Sequence, residues 1–332
     1  MSKLLFIGTF LSHKQGTKSI SERLYENLSC EFDIILVSKK ENKILRILEI
    51  IHSILFFSYE KIHIDVFSGT SFNIVRISVF FAFFVQKPVI LTLRGGNLPS
   101  FTNSNFELVK KIFRRVEVIQ TPSLYLKTYF ETKGFNLSYL PNFIDSSKFP
   151  FKPSQKGKSL LWVRAFDKTY NPEIAVKVLI ELIKTYPDIT LTMVGPDKGE
   201  LNRVVELIKS NNLGHHVKIT GKVDNSKLYE YYHNHSIYLN TTSFESFGNS
   251  VLEAASCGIP IVSNSVGEIK FLWTNRFDMM LVNDNHIKDY VDNIKDLFEN
   301  KKLYDFVVKN AKKKSLDFSW QKIKSKWINL LS

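Results

Sequence analysis

The sequence predicts an α/β protein built as two doubly wound domains. Three observations carry this. Short apolar runs alternate with longer amphipathic stretches along most of the chain, 332 residues exceed one ordinary domain, and a proline-rich break interrupts the alternation near the middle.

In the first half the apolar runs fall at 4–7, 34–37, 64–67, 89–93 and 116–119. In the second half they fall at 160–163, 189–194, 217–220, 237–239, 260–263 and 279–282. Each is short and rich in Ile, Val or Leu, the composition of strands buried on both faces. The stretches between them carry helical periodicity. Residues 172–185 set Ile174, Val178, Ile180, Leu182 and Ile183 on one side and open with Asn171-Pro172, a cap residue followed by proline at the first helical position. Residues 320–331 read as a closing helix with Trp320, Ile323, Trp327, Leu330 and Leu331 as its apolar face. Strand and helix in alternation mean parallel sheets covered by helices. Pro141, Pro150, Pro153, Ser154 and Gly157 crowd a stretch without periodicity, which reads as the connection between domains. The expected division is 1–148, 149–315 and a closing helical segment 316–332.

Composition narrows the partners. The formal charge of +13 favours anions, whether phosphates, nucleic acid or an acidic membrane surface, with a plain basic surface as the bland alternative. The chain has no RNP-type aromatic motif, zinc-finger spacing or basic heptads, so nucleic acid is not expected. Cys30 and Cys257 lie far apart and outside any C-x-x-C pair. That pattern fits neither a disulfide framework nor a zinc site, and suits a reducing, cytoplasmic setting. The opening residues do not read as a signal peptide. Residues 44–57 are apolar but interrupted by Arg46, Glu49 and His52, and 77–85 end at Gln86-Lys87-Pro88. Both fall short of the roughly 20 residues a spanning helix needs. The expectation is a chain that lies on the inner face of a membrane at most. Lys110, Lys111, Arg114 and Arg115 on the helix 106–116 could meet anionic lipid beside 44–57, or form a solvated face.

The chemistry concentrates between Asn240 and Val262. A strand ends at Leu239, a polar loop holds Glu245 and Gly248, a helix runs from about Ser250 to Cys257, and Gly258 ends it. In open α/β sheets ligands bind at the carboxyl ends of strands, and a helix N-terminus there offers free N–H groups to an anion. The amides of Gly248, Asn249 and Ser250 are the expected donors. Glu245, a poor phosphate ligand, suits sugar hydroxyls or stands as a solvated loop carboxylate. Glu253 allows a second reading as well, because Ser250-Val-Leu-Glu253 fits a capping box.

Two glutamates seven residues apart, in the frame Glu245-x-Phe247-Gly248…Glu253-Ala…Gly258-x-Pro260-x-Val262, resemble the signature of retaining glycosyltransferase family 4, whose members have the GT-B fold. The resemblance implies two doubly wound Rossmann-like domains facing across a cleft, with the closing helix returning to the first. It implies that Glu245 contacts the donor sugar, that Glu253 holds the ribose hydroxyls, and that amides from Phe247 to Ser250 meet the diphosphate. Trp162-Val-Arg164-Ala-Phe-Asp-Lys168 is similar to the family's strand ending in arginine with a nearby lysine, although Lys168 stands one residue closer than is common. Both cations would hold the leaving diphosphate; an exposed loop lysine is the other reading of Lys168. Leu191 to Gly195 is similar to the next strand and its glycine turn, and Ile219 to Lys222 and Val223 to the segment framing the base. Leu140-Pro-Asn142-Phe-Ile-Asp145 resembles the family's motif at the end of its first domain.

The first half matches weakly. Leu93-Arg94-Gly95-Gly96 stands where the family often has His-Gly, so Arg94 would replace a histidine, bind an acidic acceptor, or be a loop cation. Gly95 goes with it, and Lys14 and Gly16 lie in a first strand-to-helix loop expected to border the cleft. That loop lacks G-x-G-x-x-G. The chain has no Asp-x-Asp, and His215, His216, His233 and His235 read as surface histidines, so no metal and no cofactor are expected. The resemblance implies a metal-independent, retaining enzyme that takes a hexose-type sugar from a UDP- or GDP-sugar. Its acceptor would be a glycan or lipid-linked oligosaccharide in surface polysaccharide or glycoconjugate synthesis. The alternatives are a GT-B nucleotide-sugar epimerase and a non-catalytic glycosyltransferase-like binding protein.

Overall fold

The computed structural model describes residues 2–10, 18–153 and 157–332. The alternation of apolar runs and amphipathic stretches becomes two parallel six-stranded sheets. The chain divides into two compact units, one of Met1–Asn142 with Ile323–Ser332 and one of Phe143–Lys322.

The N-terminal unit runs β1 (Lys3–Ile7), α1 (Ile20–Leu28), β2 (Asp33–Val37), α2 (Lys43–Phe56), β3 (Lys61–Val66), α3 (Phe72–Phe84), β4 (Val89–Leu93), α4 (Leu98–Ser104), α5 (Phe106–Phe113), β5 (Val118–Thr121), α6 (Leu124–Thr132) and β6 (Ser138–Tyr139). Its strand order is β2-β1-β3-β4-β5-β6, every pair parallel. Strand β3 starts three residues before the expected apolar run. Its opening carries Lys61 and His63, and His63 is buried because Thr92 Oγ1 lies 2.7 Å from its Nε2. Strand β6, two residues long, is too short to register as a periodic pattern.

The C-terminal unit runs β7 (Ser159–Val163), α7 (Pro172–Ile183), β8 (Thr190–Val194), α8 (Leu201–Ser210), β9 (Val217–Gly221), α9 (Leu228–Asn234), β10 (Ile237–Asn240), α10 (Asn249–Cys257), β11 (Ile261–Asn264), α11 (Ile269–Leu272), β12 (Met280–Val282), α12 (Ile287–Glu299) and α13 (Lys301–Leu316). Its strand order is β12-β11-β10-β7-β8-β9. Side chains on a strand alternate between faces, and β7 shows the result. Leu160 and Trp162 enter a core with α7, while Leu161 and Val163 enter a second core with α10. A sheet buried on both faces needs unbroken apolar strands, which is why those runs lack polar alternation.

The described part of the proline-rich connection before residue 154 is packed rather than loose. The units part between Asn142 and Phe143. Ile144, Phe149 and Phe318 already belong to the C-terminal core, and Lys152 N donates to Cys257 O at 2.9 Å. The closing helix α14 (Trp320–Leu331) contributes its residues from Ile323 onward to the N-terminal unit. Trp327 there meets the His63 ring edge-on at 5.8 Å between centroids. Among the described residues, no helix is long and apolar enough to cross a membrane.

Candidate functional site

The C-terminal sheet begins its chain order in the middle. Strands β8 and β9 extend to one side of β7, and β10, β11 and β12 to the other. This reversal of chain order between adjacent β7 and β10 is the place where open α/β sheets bind ligands, at the carboxyl ends of the strands. Arg164 directly follows β7, and Glu245 lies in the loop after β10.

The two side chains form a largely buried ion pair, Arg164 Nη2 to Glu245 Oε2, with Arg164 12% and Glu245 9% exposed at the side chain. Arg164 Nε also reaches Asn240 Oδ1 at 3.4 Å, and its guanidinium lies 5.1 Å from the Tyr170 ring centroid. Burial opposes the arginine's charge, but the Glu245 carboxylate together with the Tyr238, Tyr170 and Tyr232 side chains more than offsets this and holds its pKa above the ordinary value. Glu245 is thus not a solvated loop carboxylate. Its Oε1 faces the Phe247 amide at 3.4 Å, and its main-chain oxygen accepts from Glu268 N at 2.9 Å.

Helix α10 starts at Asn249, capped by Gly248 in the left-handed region at φ +95°. A cap without a side chain stands there, so the capping box that Ser250 and Glu253 also allowed does not form. Ser250 Oγ instead accepts from Tyr238 Oη at 2.8 Å. Glu253, buried, takes the Tyr232 hydroxyl on Oε2 at 3.3 Å. Burial and then the Glu253 charge push the Tyr232 pKa well above its ordinary value. Tyr238 lies in the field of Arg164, Glu245 and Glu253 together. These groups make one electrostatic cluster. The amides of Gly248, Asn249 and Ser250 open the helix and have no turn before them to bond. Asn249 Oδ1 is buried without a partner. The Phe247 side chain is core, edge-on to Phe318 at 5.6 Å, so only its backbone faces Glu245.

Close backbone approach fixes the loops. A Cβ on Gly195 would sit 1.8 Å from Arg164 O, so only glycine lets the loops after β7 and β8 meet. Its amide donates to Gly221 O at 2.9 Å, which draws in the β9 end carrying exposed Lys222 and half-buried Val223. Lys168 opens a short 3₁₀ turn, Lys168–Tyr170. Ser243 N ties that turn to the β10 loop by donating to Thr169 O at 2.8 Å. The Lys168 side chain is exposed. Asn171 occupies the cap position of α7 but in the left-handed region, and its side-chain amide donates to Thr241 O at 3.2 Å instead of capping.

Sequence reading passed over Gly267 and Glu268. A Cβ on Gly267 would lie 2.1 Å from Glu245 O, and Glu268 is buried at the same loop. The signal was present in the chain, since both follow a strand end, β11, at the same sheet edge.

The N-terminal candidates form a separate group. Arg94 is a buried side chain paired with Asp65, and its Nη1 donates to Asn142 Oδ1 at 2.7 Å. It is therefore no loose loop cation, although its Nη2 is buried without a partner. Burial raises the Asp65 pKa, but Arg94, His63 and the Ser21 hydroxyl together bring it below the ordinary value. Burial lowers His63 to about 4. Gly95 lies under Phe67 and Ser68, where a Cβ would come within 3.1 Å of backbone. Lys14 and Gly16 lie outside the described residues.

The histidines expected at the surface are partly internal. His233 is buried with Nε2 2.7 Å from Pro150 O, and His235 lies between Tyr231 O and Thr192 Oγ1. Both act as satisfied structural polar groups. Among the described residues, no three His, Cys, Asp or Glu side chains converge as a metal site would require.

A family model described as glycosyl transferases group 1 matches residues 143–314. The chain belongs to this family of glycosyltransferases. It is 25% identical over 174 residues to D-inositol 3-phosphate glycosyltransferase of Paenarthrobacter aurescens strain TC1, covering 49% of this chain and 41% of that protein. It is 25% identical over 134 residues to glycogen synthase of Mycobacterium tuberculosis strain H37Rv, covering 40% of this chain and 32% of the relative. The matches thus span less than half the length of these curated relatives. The fold is similar to sucrose-phosphate synthase from Thermosynechococcus elongatus, with TM-score 0.82 at 15% identity over 99% of this chain and 98% of that one. Anabaena HepE, solved with UDP and glucose, gives 0.79 at 14% identity over 100% and 99%. The architecture is GT-B.

Proposed function

We propose that this chain is a retaining, metal-independent glycosyltransferase. It moves a hexose-type sugar from a UDP- or GDP-sugar to a glycan or lipid-linked acceptor, in the synthesis of surface polysaccharide or a glycoconjugate. It would work in the cytoplasm, on the inner face of the membrane. The observation that carries the reading is the buried Arg164–Glu245 pair at the sheet's switch point, beside the open N-terminus of α10 and Glu253.

In this reading the donor diphosphate lies on the amides of Gly248, Asn249 and Ser250, with Arg164 and Lys168 balancing its charge. Gly195, Lys222 and Val223 line the base side, Glu253 takes the ribose hydroxyls and Glu245 a hydroxyl of the sugar. Arg94 and Gly95 belong to the acceptor side. As the bond from the anomeric carbon to the phosphate oxygen breaks, negative charge grows on the diphosphate. The acceptor oxygen attacks on the same face, and its proton passes to the departing phosphate oxygen. The step requires no nucleophile from the protein and no metal.

A thermal-shift screen of UDP- and GDP-sugars in excess EDTA tests donor binding. A rise with one nucleotide sugar, lost in Arg164→Ala and Glu253→Ala while both stay folded, is expected. No shift with any nucleotide sugar would instead mean a non-catalytic relative. NMR of the first-formed product should show retained anomeric configuration. Donor isomerised without any acceptor would assign an epimerase.

A further inference from the structure

Helix α3 carries one charge, Arg76, in thirteen residues, and its apolar side chains run round its whole circumference. That pattern belongs to a helix buried on all sides. Yet α3 lies on the outside of the N-terminal unit, with Phe83 59% and Phe84 64% exposed and Phe80 exposed beside them. Helix α2 packs against it and adds Ile44 at 70%, Phe56 at 73% and exposed Leu48. Isolated apolar side chains on a surface are ordinary; this many on two adjoining helices mark a face that something covers.

Cations frame the face. Arg115 stacks on Phe83 at 5.1 Å. Arg76, Lys111 and Arg115 rim a groove of about 340 Å³ between α3 and α5, floored by Ile77, Phe80 and Ile112. No carboxylate lines that groove, and none pairs with these three cations among the described residues. The acidic groups nearby are Glu117, in the adjoining depression with Lys87, Glu107, 3.9 Å from Lys110, exposed Glu41 ahead of α2, and Glu49 on α2, whose Oε2 accepts from the Lys39 amide at 3.1 Å. Asn42 caps α2, and Lys39, Lys40 and Lys43 extend the positive rim at that end.

We infer that the outer face of α2 and α3 docks on a bilayer rich in anionic lipid. The phenylalanines enter the boundary between headgroups and acyl chains, and Arg76, Lys111 and Arg115 hold lipid phosphates. Charge selects this occupant over a second copy of the chain. Two such faces pressed together would set one basic rim against another, a like-charge contact that costs affinity. An anionic bilayer supplies an apolar interior and a negative surface at once. The inference deepens the membrane part of the proposed function. Its test uses neither donor nor acceptor, so docking and sugar transfer can fail separately.

The test is co-sedimentation of the full chain with vesicles of phosphatidylcholine alone and of equal parts phosphatidylcholine and phosphatidylglycerol. The native chain should bind the mixed vesicles about tenfold or more tightly than the neutral ones, and less as salt rises. The triple variant Phe56→Ser/Phe83→Ser/Phe84→Ser should lose binding at least about tenfold. Arg76→Glu/Lys111→Glu/Arg115→Glu should lose the preference for phosphatidylglycerol. Unchanged thermal midpoints would show that both variants are folded. Failure of the native chain to sediment with mixed vesicles at low salt would overturn the inference, as would undiminished binding by the phenylalanine variant. So would sedimentation velocity showing a native dimer that this variant converts to a monomer, since a second copy would then be the occupant.

Discussion

Arg164 and Glu245 show what a single residue's surroundings decide. Breaking a buried pair from one side strands a charge, at a cost of about 3 kcal/mol, whereas replacing both partners by apolar groups removes the need for pairing. Arg164→Ala and Glu245→Ala should each lower the unfolding midpoint more than Arg164→Met/Glu245→Leu does, read by urea denaturation. The same Arg164→Ala should lower kcat by about a hundredfold or more if the arginine meets the leaving diphosphate. His63 allows a pH prediction. Its folded pKa of about 4 lies below the ordinary 6.5, so between these values the unfolded chain binds a proton that the folded chain does not. Stability should therefore be full above pH 6.5 and fall as pH drops towards 4, by on the order of 3 kcal/mol. His63→Asn should flatten that slope in denaturation measured at about pH 7 and about pH 4.5. At this scale Arg164 is legible through the resemblance to the family's strand ending in arginine, and its place directly after an apolar strand fits that resemblance. The sequence could not reveal that Arg94 is committed to Asp65, because that partner lies 29 residues away on a neighbouring strand.

At the scale of elements, all eleven apolar runs correspond to strands of the two sheets. They were legible because strands buried on both faces are apolar throughout and short. Where a boundary slipped, a polar residue was buried by a partner the local pattern cannot contain, as at His63 and Thr92. The start of α10 slipped by one residue for another reason. Gly248 has no side chain to announce a cap, and Ser250-Val-Leu-Glu253 imitates one. The other end was legible, since Gly258 sits at φ +87° as the C-cap. Gly258→Ala would strain the left-handed conformation and set its Cβ 2.7 Å from Phe151 Cε2. A loss of about 2 kcal/mol is expected, seen as a lower thermal midpoint. Gly195→Ala should act differently, through the displaced Arg164 backbone. It should raise the KM for donor about tenfold or more, even in a preparation that remains folded.

For the whole molecule, two units with their own cores explain why the sequence motifs are lopsided. The strand-end residues of the C-terminal sheet form one cluster, while the N-terminal group around Arg94 and Asp65 forms another. Donor binding should therefore leave a local imprint. Hydrogen exchange with a saturating UDP- or GDP-sugar should slow by about a hundredfold around 164–171, 241–250 and 265–268, the loops that close on the pair. Amides of strands β1, β3 and β4 should keep their rates. Protection confined to β1, β3 and β4 would place the nucleotide in the wrong unit.

The pairing of Arg164 with Glu245 also sets what the site refuses. An arginine with its own counter-ion has little pull on small anions, so inorganic phosphate that drew Arg164 away would gain nothing from the freed Glu245 carboxylate. A ligand with a diphosphate and a hydroxylated ring compensates both halves at once. Under the proposed function the site would act as a coincidence detector, answering more strongly when both groups arrive on one molecule than to either alone.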